Sequence, residues 1–236
     1  MSNVELVWAT PDAEKLIVRM ARVSNPSNED NWETPDAEKL IVRMARVSNP
    51  SNEDNWETGP GLLRYLAKHK HWSPFEMANM CVQIDTERDI AAQILRHRSF
   101  SFQEFSTRYS KTQPAEVPYF RRQDFKNRQN SISDLHPKHQ EDFQAGAGRI
   151  IADAFLFYDT LLERGVAKET ARRILPLCTP TTLYMQGTLR SWVHYIQLRA
   201  DNDTQLEHRQ IAFQCADVFK QCFPTVYQAV FPTLNP

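Results

Sequence analysis

The sequence predicts an α+β fold, a mixed or antiparallel sheet packed with several long helices in a single domain spanning residues 1–236. Three observations carry that prediction. Apolar residues recur at helical spacing through most of the chain, they alternate with period two only in short early segments, and Gly or Pro punctuates the junctions. A chain of 236 residues buries enough surface to need no disulfide or metal staple.

Residues 4–8 read as a short strand. Residues 10–33 then read TPDAEKLIVRMARVSNPSNEDNWE, and residues 34–57 repeat all 24 letters without a change. Stacked repeats drift in sequence and need at least three units, so two perfect copies point to an insertion, by recent duplication or by an artefact of sequence assembly. Each copy carries a helix signature: in the first, Thr10 as N-cap, Pro11 at the first helical position, and acidic Asp12 and Glu14 in the first turn. Ala13, Leu16, Ile17 and Met20 form the apolar stripe, and Ser24, Asn25 and Pro26 stop it. The letters do not say which copy docks, and a displaced copy would leave an apolar stripe uncovered.

Gly59-Pro60-Gly61 reads as a break, followed by a helix over 62–69. Ala78, Met80, Val82 and Ile84 alternate with polar neighbours as in a half-buried strand. Thr86 with Asp89 resembles a capping box opening a helix through Ile90, Ala91, Ile94 and Leu95. Residues 113–137 are polar and Pro-punctuated, a surface loop with short ordered pieces. Helices are then expected over 140–164 (ending at Gly165), 169–175 (stopped by Pro176), 181–199 and 204–222.

The net charge of -1 argues against a dedicated nucleic-acid binder. Cys81, Cys178, Cys215 and Cys222 show no CxxC pairing and no His at zinc-finger spacing, and read as free thiols of a reducing cytoplasm. No metal site is expected. No signal pattern opens the chain and no 18-residue apolar run occurs, so no membrane partner is expected; the location is cytoplasmic, or host cytoplasm if the gene is viral.

The chemistry concentrates in residues 96–110, where three arginines, one histidine, one glutamate and four serines alternate with aromatics. Guanidinium forks suit phosphates and carboxylates, and Ser hydroxyls add neutral donors. A salt-bridged solvated loop and an RNA-binding patch with stacked aromatics fit the same composition. Spacing separates these readings. Arg96-His97-Arg98, seven residues, then Ser106 resembles the RHR-x7-S signature of the flavin-dependent thymidylate synthase family, and Arg108-Tyr109-Ser110 is similar to its continuation. Residues 68–76 (KHKHWSPFE) resemble the family's KHxHxTPFEH segment, 171–176 its ARxxLP segment, and Leu198-Arg199-Ala200-Asp201 a later block. The similarity runs from Gly61 to Ala229, with one Ala-Arg-Val-Ser (21–24 or 45–48) upstream.

The resemblance implies roles. Gln93, Arg96, Glu104, Ser106, Thr107, Arg108, Arg172 and Arg199 match positions that bind dUMP. Ser73, Arg96, His97, Arg98, Glu104, Thr188, Arg190 and His194 match positions that contact FAD, and His71 matches a further active-site histidine. Arg199 is the catalytic candidate: a guanidinium beside the uracil N3 and O4 stabilises charge developing on the ring and makes C5 a better nucleophile. Ser106 has no His-Asp relay beside it in sequence and reads as a phosphate ligand rather than a nucleophile. Without the resemblance, Arg172 and Arg199 are ordinary helix-terminal cations. The sequence departs from the family at Ser73 (for Thr), Met77 (for His), Gln103 and Thr188 (both for Asn); Thr188 loses an amide.

The implied reaction takes dUMP to dTMP, with methylenetetrahydrofolate as carbon donor, NADPH as reductant of FAD, and a homotetramer whose subunits share active sites. Two readings compete: an oligonucleotide-binding module using the Arg/Phe stretch, and a flavin-free nucleotide hydrolase, for which only Asp201 and Asp203 come near a metal-binding pair. Cys178 lacks a His partner, which disfavours a thiolate route.

Overall fold

The computed structural model describes residues 2–9, 37–47, 49–52 and 55–234. Its centre is a four-stranded antiparallel sheet made of β1 (Asn3–Ala9), β2 (Asn79–Glu87), β3 (Ser101–Glu104) and β6 (Pro180–Thr188), in the order β1-β2-β6-β3. A small hairpin, β4 (Arg122–Gln123) with β5 (Ser131–Ile132), supplies the ordered pieces expected within residues 113–137. The helices are α1 (Ala37–Ala45), α2 (Gly59–Lys68), α3 (Arg88–Ile94), α4 (Pro137–Glu163), α5 (Lys168–Ala171), α6 (Leu189–Arg199), α7 (Leu206–Cys222) and α8 (Pro224–Val230).

The helix of the first repeat copy (10–33) lies outside the described residues, as do Thr34, Pro35 and Asp36, the cap and first turn of the second. From Ala37 on, the second copy is built into the core. Ile41 and Val42 are buried, and the buried Glu38 carboxylate accepts the Val226 N–H at 2.6 Å, at the open amide end of α8. Buried Arg46 then ties down the following turn by donating to the carbonyls of Asn52 and Asn55 and to the Thr58 hydroxyl.

Three local expectations change. Gly59-Pro60-Gly61 opens α2 instead of breaking the chain, because proline at a first turn forfeits only an amide that has no helical partner. Thr86 makes no capping box: it is a buried β2 residue whose hydroxyl meets that of Ser2 at 3.1 Å, while Glu87 takes the cap position of α3. Residues 181–199 are not one helix. Thr181, Leu183, Met185 and Gly187 face inward in alternation, so 180–188 is a strand paired with β2 on one side and β3 on the other. Thr188 ends it and accepts the Ser191 N–H with its hydroxyl, starting α6. Helix α4 closes as expected: Gly165 adopts φ +81, and the Gly165 and Val166 amides return to Leu162 and Leu161, a pairing that a left-handed residue permits.

Trp192 of α6 anchors the helix layer to the sheet, fully buried with its indole N–H on the Met80 carbonyl at 3.0 Å. Phe100 joins this layer with ring centroids 4.9 Å from Trp192 and 5.9 Å from Tyr195, which fixes the turn 96–100 against α6.

Candidate functional site

Helix α3 connects two polar clusters. It carries Arg88 at its first residue and Gln93 near its last, about 7.5 Å apart at helical rise, and hands the chain to the turn Arg96-His97-Arg98.

At the C-terminal end of α3, Arg199 in the last turn of α6 donates its Nε–H to His97 Nε2 at 2.9 Å. A guanidinium cannot accept, so His97 is the acceptor at Nε2 and holds its ring proton on Nδ1. Burial lowers the His97 pKa to about 4, helped by the charges of Arg199, His194 and Arg96. His97 is therefore a neutral ring at physiological pH. The ring also packs edge-on against Tyr195, whose hydroxyl meets His208 Nε2 at 3.2 Å. His208 is fully buried and lowered to about 3, first by burial and then by Arg199 and His97.

These two rings predict acid lability with a definite sign. Both folded pKa values lie below the unfolded value of about 6.5, so the unfolded chain takes up protons first and stability falls as pH drops from about 6.5 towards 3–4. The urea midpoint should decline across that window by the equivalent of roughly 3 kcal/mol, with the partly exposed His97 contributing the smaller share. A midpoint that is flat from pH 6.5 to 4 removes the buried-neutral assignment.

At the N-terminal end of α3 lies a cavity of about 230 Å³ lined by Arg88, Thr107, Arg172 and Arg173 with Leu175, Pro176 and Leu177. Arg172 Nη1 donates to the buried Thr107 hydroxyl at 3.2 Å. Arg88 reaches Glu104 at 3.8 Å, and Glu104 accepts from Thr181 at 3.0 Å. The Arg88 Nη1 atom is buried and has no acceptor among the described residues. A buried guanidinium nitrogen without a partner is costly. Ser106, which precedes Thr107 in the chain, has its hydroxyl 3.4 Å from the Arg108 amide, and exposed Arg108 pairs with Glu169 at 3.5 Å.

Of the predicted residues, Thr107 and Arg172 line this cavity and Glu104 meets its Arg88, with Ser106 and Arg108 flanking Thr107 in sequence, while His97 and Arg199 are bonded at the other end of α3 and Gln93 meets their neighbour His208. The arginines flanking His97, Arg96 and Arg98, are exposed, and their guanidiniums have no acceptor among the described residues. Arg190 is held by Glu76 of the short 3-10 turn Ser73–Glu76, which brings exposed Ser73 to the start of α6. Ser191 donates to the Ser99 carbonyl at 3.3 Å, locking that same helix start to the arginine turn. The Thr188 hydroxyl is engaged as the α6 cap, and exposed His71 lies against Tyr65 with ring centroids 6.0 Å apart. His194 is an exposed α6 residue close enough to bias His97.

Arg88 and Arg173 were not singled out from sequence, because an arginine opening a helix and one beside Arg172 look like solvated charges. The only available signal was their convergence on Arg172, which requires the fold. A larger depression of about 400 Å³, lined among others by Asp85, Glu87, Lys111 and Cys178, holds none of the predicted site residues. Burial pushes the Cys178 thiol up, away from the thiolate a nucleophile needs. Among the described residues no helix is long and apolar enough to cross a membrane.

Comparison with known proteins follows the same lines. The family model described as "Thymidylate synthase complementing protein" matches residues 5–225. The chain is 49% identical over 219 residues to a probable flavin-dependent thymidylate synthase of Paramecium bursaria Chlorella virus 1, covering 92% of this chain and 90% of that one. It is 48% identical over 169 residues to the flavin-dependent thymidylate synthase of Synechocystis sp., covering 72% and 79%. Among solved structures, a UMP/dUMP methylase from Streptomyces cacaoi bound with 5-Br dUMP shares the fold, with TM-score 0.76 at 24% identity over 97% of this chain and 94% of that one.

Proposed function

Because this chain belongs to the flavin-dependent thymidylate synthase family, whose members use FAD to methylate dUMP to dTMP, we propose that its two polar clusters divide that work. The cavity of Arg88, Thr107 and Arg172, with Ser106 and Arg108 on either side of Thr107 in the chain, takes the dUMP phosphate. Arg199, Gln93 and His97 take the nucleotide's other end. The observation that carries this reading is the buried, unpartnered Arg88 Nη1 in an arginine-lined cavity.

The FAD position is assigned to Ser73, Arg96, His97, Arg98, Glu104, Thr188, Arg190 and His194. The donor set fits it: two guanidiniums without an acceptor among the described residues flank a neutral imidazole on one turn, a chemistry suited to a diphosphate. When bound, FAD supplies the electron pair that turns a methylene into a methyl group. Methylenetetrahydrofolate gives the carbon and leaves as tetrahydrofolate, and NADPH provides the electrons and leaves as NADP+. The chain's own contribution is electrostatic. The Arg199 guanidinium, oriented through Nε by His97, stabilises negative charge on the uracil ring as C5 attacks. His71 completes the assigned site. The neutral His97 ring holds that arginine without adding a competing cation.

The test is dTMP formation by the purified protein supplied with FAD, NADPH, methylenetetrahydrofolate and dUMP, alongside its visible spectrum. Replacing Arg88 by Leu raises KM for dUMP about tenfold to a hundredfold while the flavin spectrum persists, as expected for one lost charge-assisted phosphate contact. An unchanged KM places the phosphate elsewhere.

A homotetramer with shared sites is part of the same proposal. Phe143, Ile150 and Phe157 of α4 are 49%, 70% and 54% exposed and lie seven residues apart, so they form one uncovered apolar stripe. Changing Ile150 to Asp should shift the sedimentation coefficient to a smaller species and lower activity with it. A variant that keeps the parent's mass in solution removes α4 from the interface.

A further inference from the structure

Gln93 stands in an unbroken row of polar side chains that ends at the Arg121–Glu207 ion pair. Glu207 accepts from Arg121 Nη1 at 2.6 Å and from Nη2 at 2.9 Å, and from Gln205 Nε2 at 3.0 Å. Gln93 Nε2 donates to Gln205 Oε1 at 2.8 Å, Gln93 Oε1 faces His208 Nδ1 at 3.4 Å, and His208 Nε2 faces the Tyr195 hydroxyl at 3.2 Å. Only one direction satisfies every contact. An ionised carboxylate accepts and never donates, so Gln205 must turn its amide nitrogen to Glu207 and its carbonyl to Gln93. Gln93 then presents nitrogen to Gln205 and oxygen to His208, which must carry its proton on Nδ1. Tyr195 is left to donate to Nε2. Burial pushes the Glu207 carboxyl up, but its hydrogen bonds with Arg121 and Gln205 outweigh this and leave it below the ordinary carboxylate range.

From this row we infer that His208, Gln205 and Glu207 are positioning residues that lock the orientation of the Gln93 amide for nucleotide binding. With two contacts made inside the protein, Gln93 keeps one N–H and one carbonyl lone pair, fixed in place, for a ligand. An amide that is free to flip offers its donor and acceptor in either order and binds a polar edge less well, because the ordering falls to the ligand. The lock also explains why His208, with no exposed surface, is not one more apolar residue of α7. An apolar side chain there would leave the Gln93 carbonyl without its inner donor.

The inference rests on the reading that Gln93 contacts dUMP, and the experiment separates the two. KM for dUMP and kcat are measured for Gln93→Leu, His208→Leu, His208→Asn and Glu207→Gln, with flavin absorbance and thermal midpoint recorded for each. His208→Asn keeps a donor at the position of Nδ1, and Glu207→Gln keeps the shape but permits the row to run in reverse. The expected result is a KM raised about tenfold in Gln93→Leu and fivefold to tenfold in His208→Leu and Glu207→Gln, with kcat within about threefold and the flavin spectrum unchanged. His208→Asn should return KM to within about threefold of the parent even where its thermal midpoint stays low. If Gln93→Leu leaves KM unchanged, the contact with dUMP fails and the inference with it. If Gln93→Leu raises KM but His208→Leu and Glu207→Gln do not, or if Asn rescues no better than Leu, the lock alone is overturned. Should His208→Leu not fold, Glu207→Gln, at a half-buried helix start, decides the matter in the same way.

Discussion

Replacing Arg199 by Ala is expected to lower the rate of dTMP formation by about 10²–10³-fold, with a smaller change in KM for dUMP. The magnitude follows from where the charge is needed. A donor aimed at charge that develops only in the transition state affects kcat, whereas a ground-state contact such as Arg88 affects KM. The Arg199 guanidinium is also held through Nε by a neutral histidine, so on the proposed reading it meets the uracil ring already oriented. Arg199→Lys should fall between the parent and the Ala variant, because the ammonium restores charge but cannot bond to His97 and present a planar fork at once. A second readout accompanies it: with the Arg199 charge gone, the His97 pKa moves up from about 4 towards the value of a free imidazole, and NMR titration of the ring follows this directly. A loss of less than fivefold in Arg199→Ala ends the assignment.

Gly187 to Ala is expected to be the most damaging single-methyl change near the site. A Cβ built there falls 2.5 Å from Phe100 Cδ1 and 2.7 Å from Cε1, distances that force the ring to move. Phe100 cannot yield freely, being wedged between Trp192, Tyr195 and His97. Overpacking of this kind costs about 1–3 kcal/mol, or roughly 2–12 °C in thermal midpoint for a chain of this size. The displaced ring carries the turn 96–98 with it, so flavin affinity should drop about tenfold or more in a titration followed by absorbance. Pairing the change with Phe100→Leu should recover stability beyond the sum of the two single effects. Simple additivity, or an unshifted midpoint, shows that the ring is not pinned.

How much of this was legible in the letters depends on what each residue answers to. The strand over 79–87 and helices α4 and α7 follow their own periodicity, and the sequence reads them within a few residues. Residues 181–188 mislead because Leu183 and Met185 are as much at home in a helix, and the β-branched threonines beside them settle the matter only once two partner strands exist. The strand 101–104 was hidden in the arginine motif, since four residues at a sheet edge carry too little pattern. The spacing of Arg96, His97, Arg98 and Ser106 was enough to place the family. It could not place Arg88 or His208, whose importance comes from what the fold sets against them: a cavity shared with Arg172 for one, the carbonyl of Gln93 for the other.

The built-in second copy has an engineering consequence. Twenty-seven residues join Ala9 of β1 to Ala37 of α1, where a chain with one copy would have three. Excising either copy gives the identical polypeptide, so the trimmed chain is one molecule whichever way it is made.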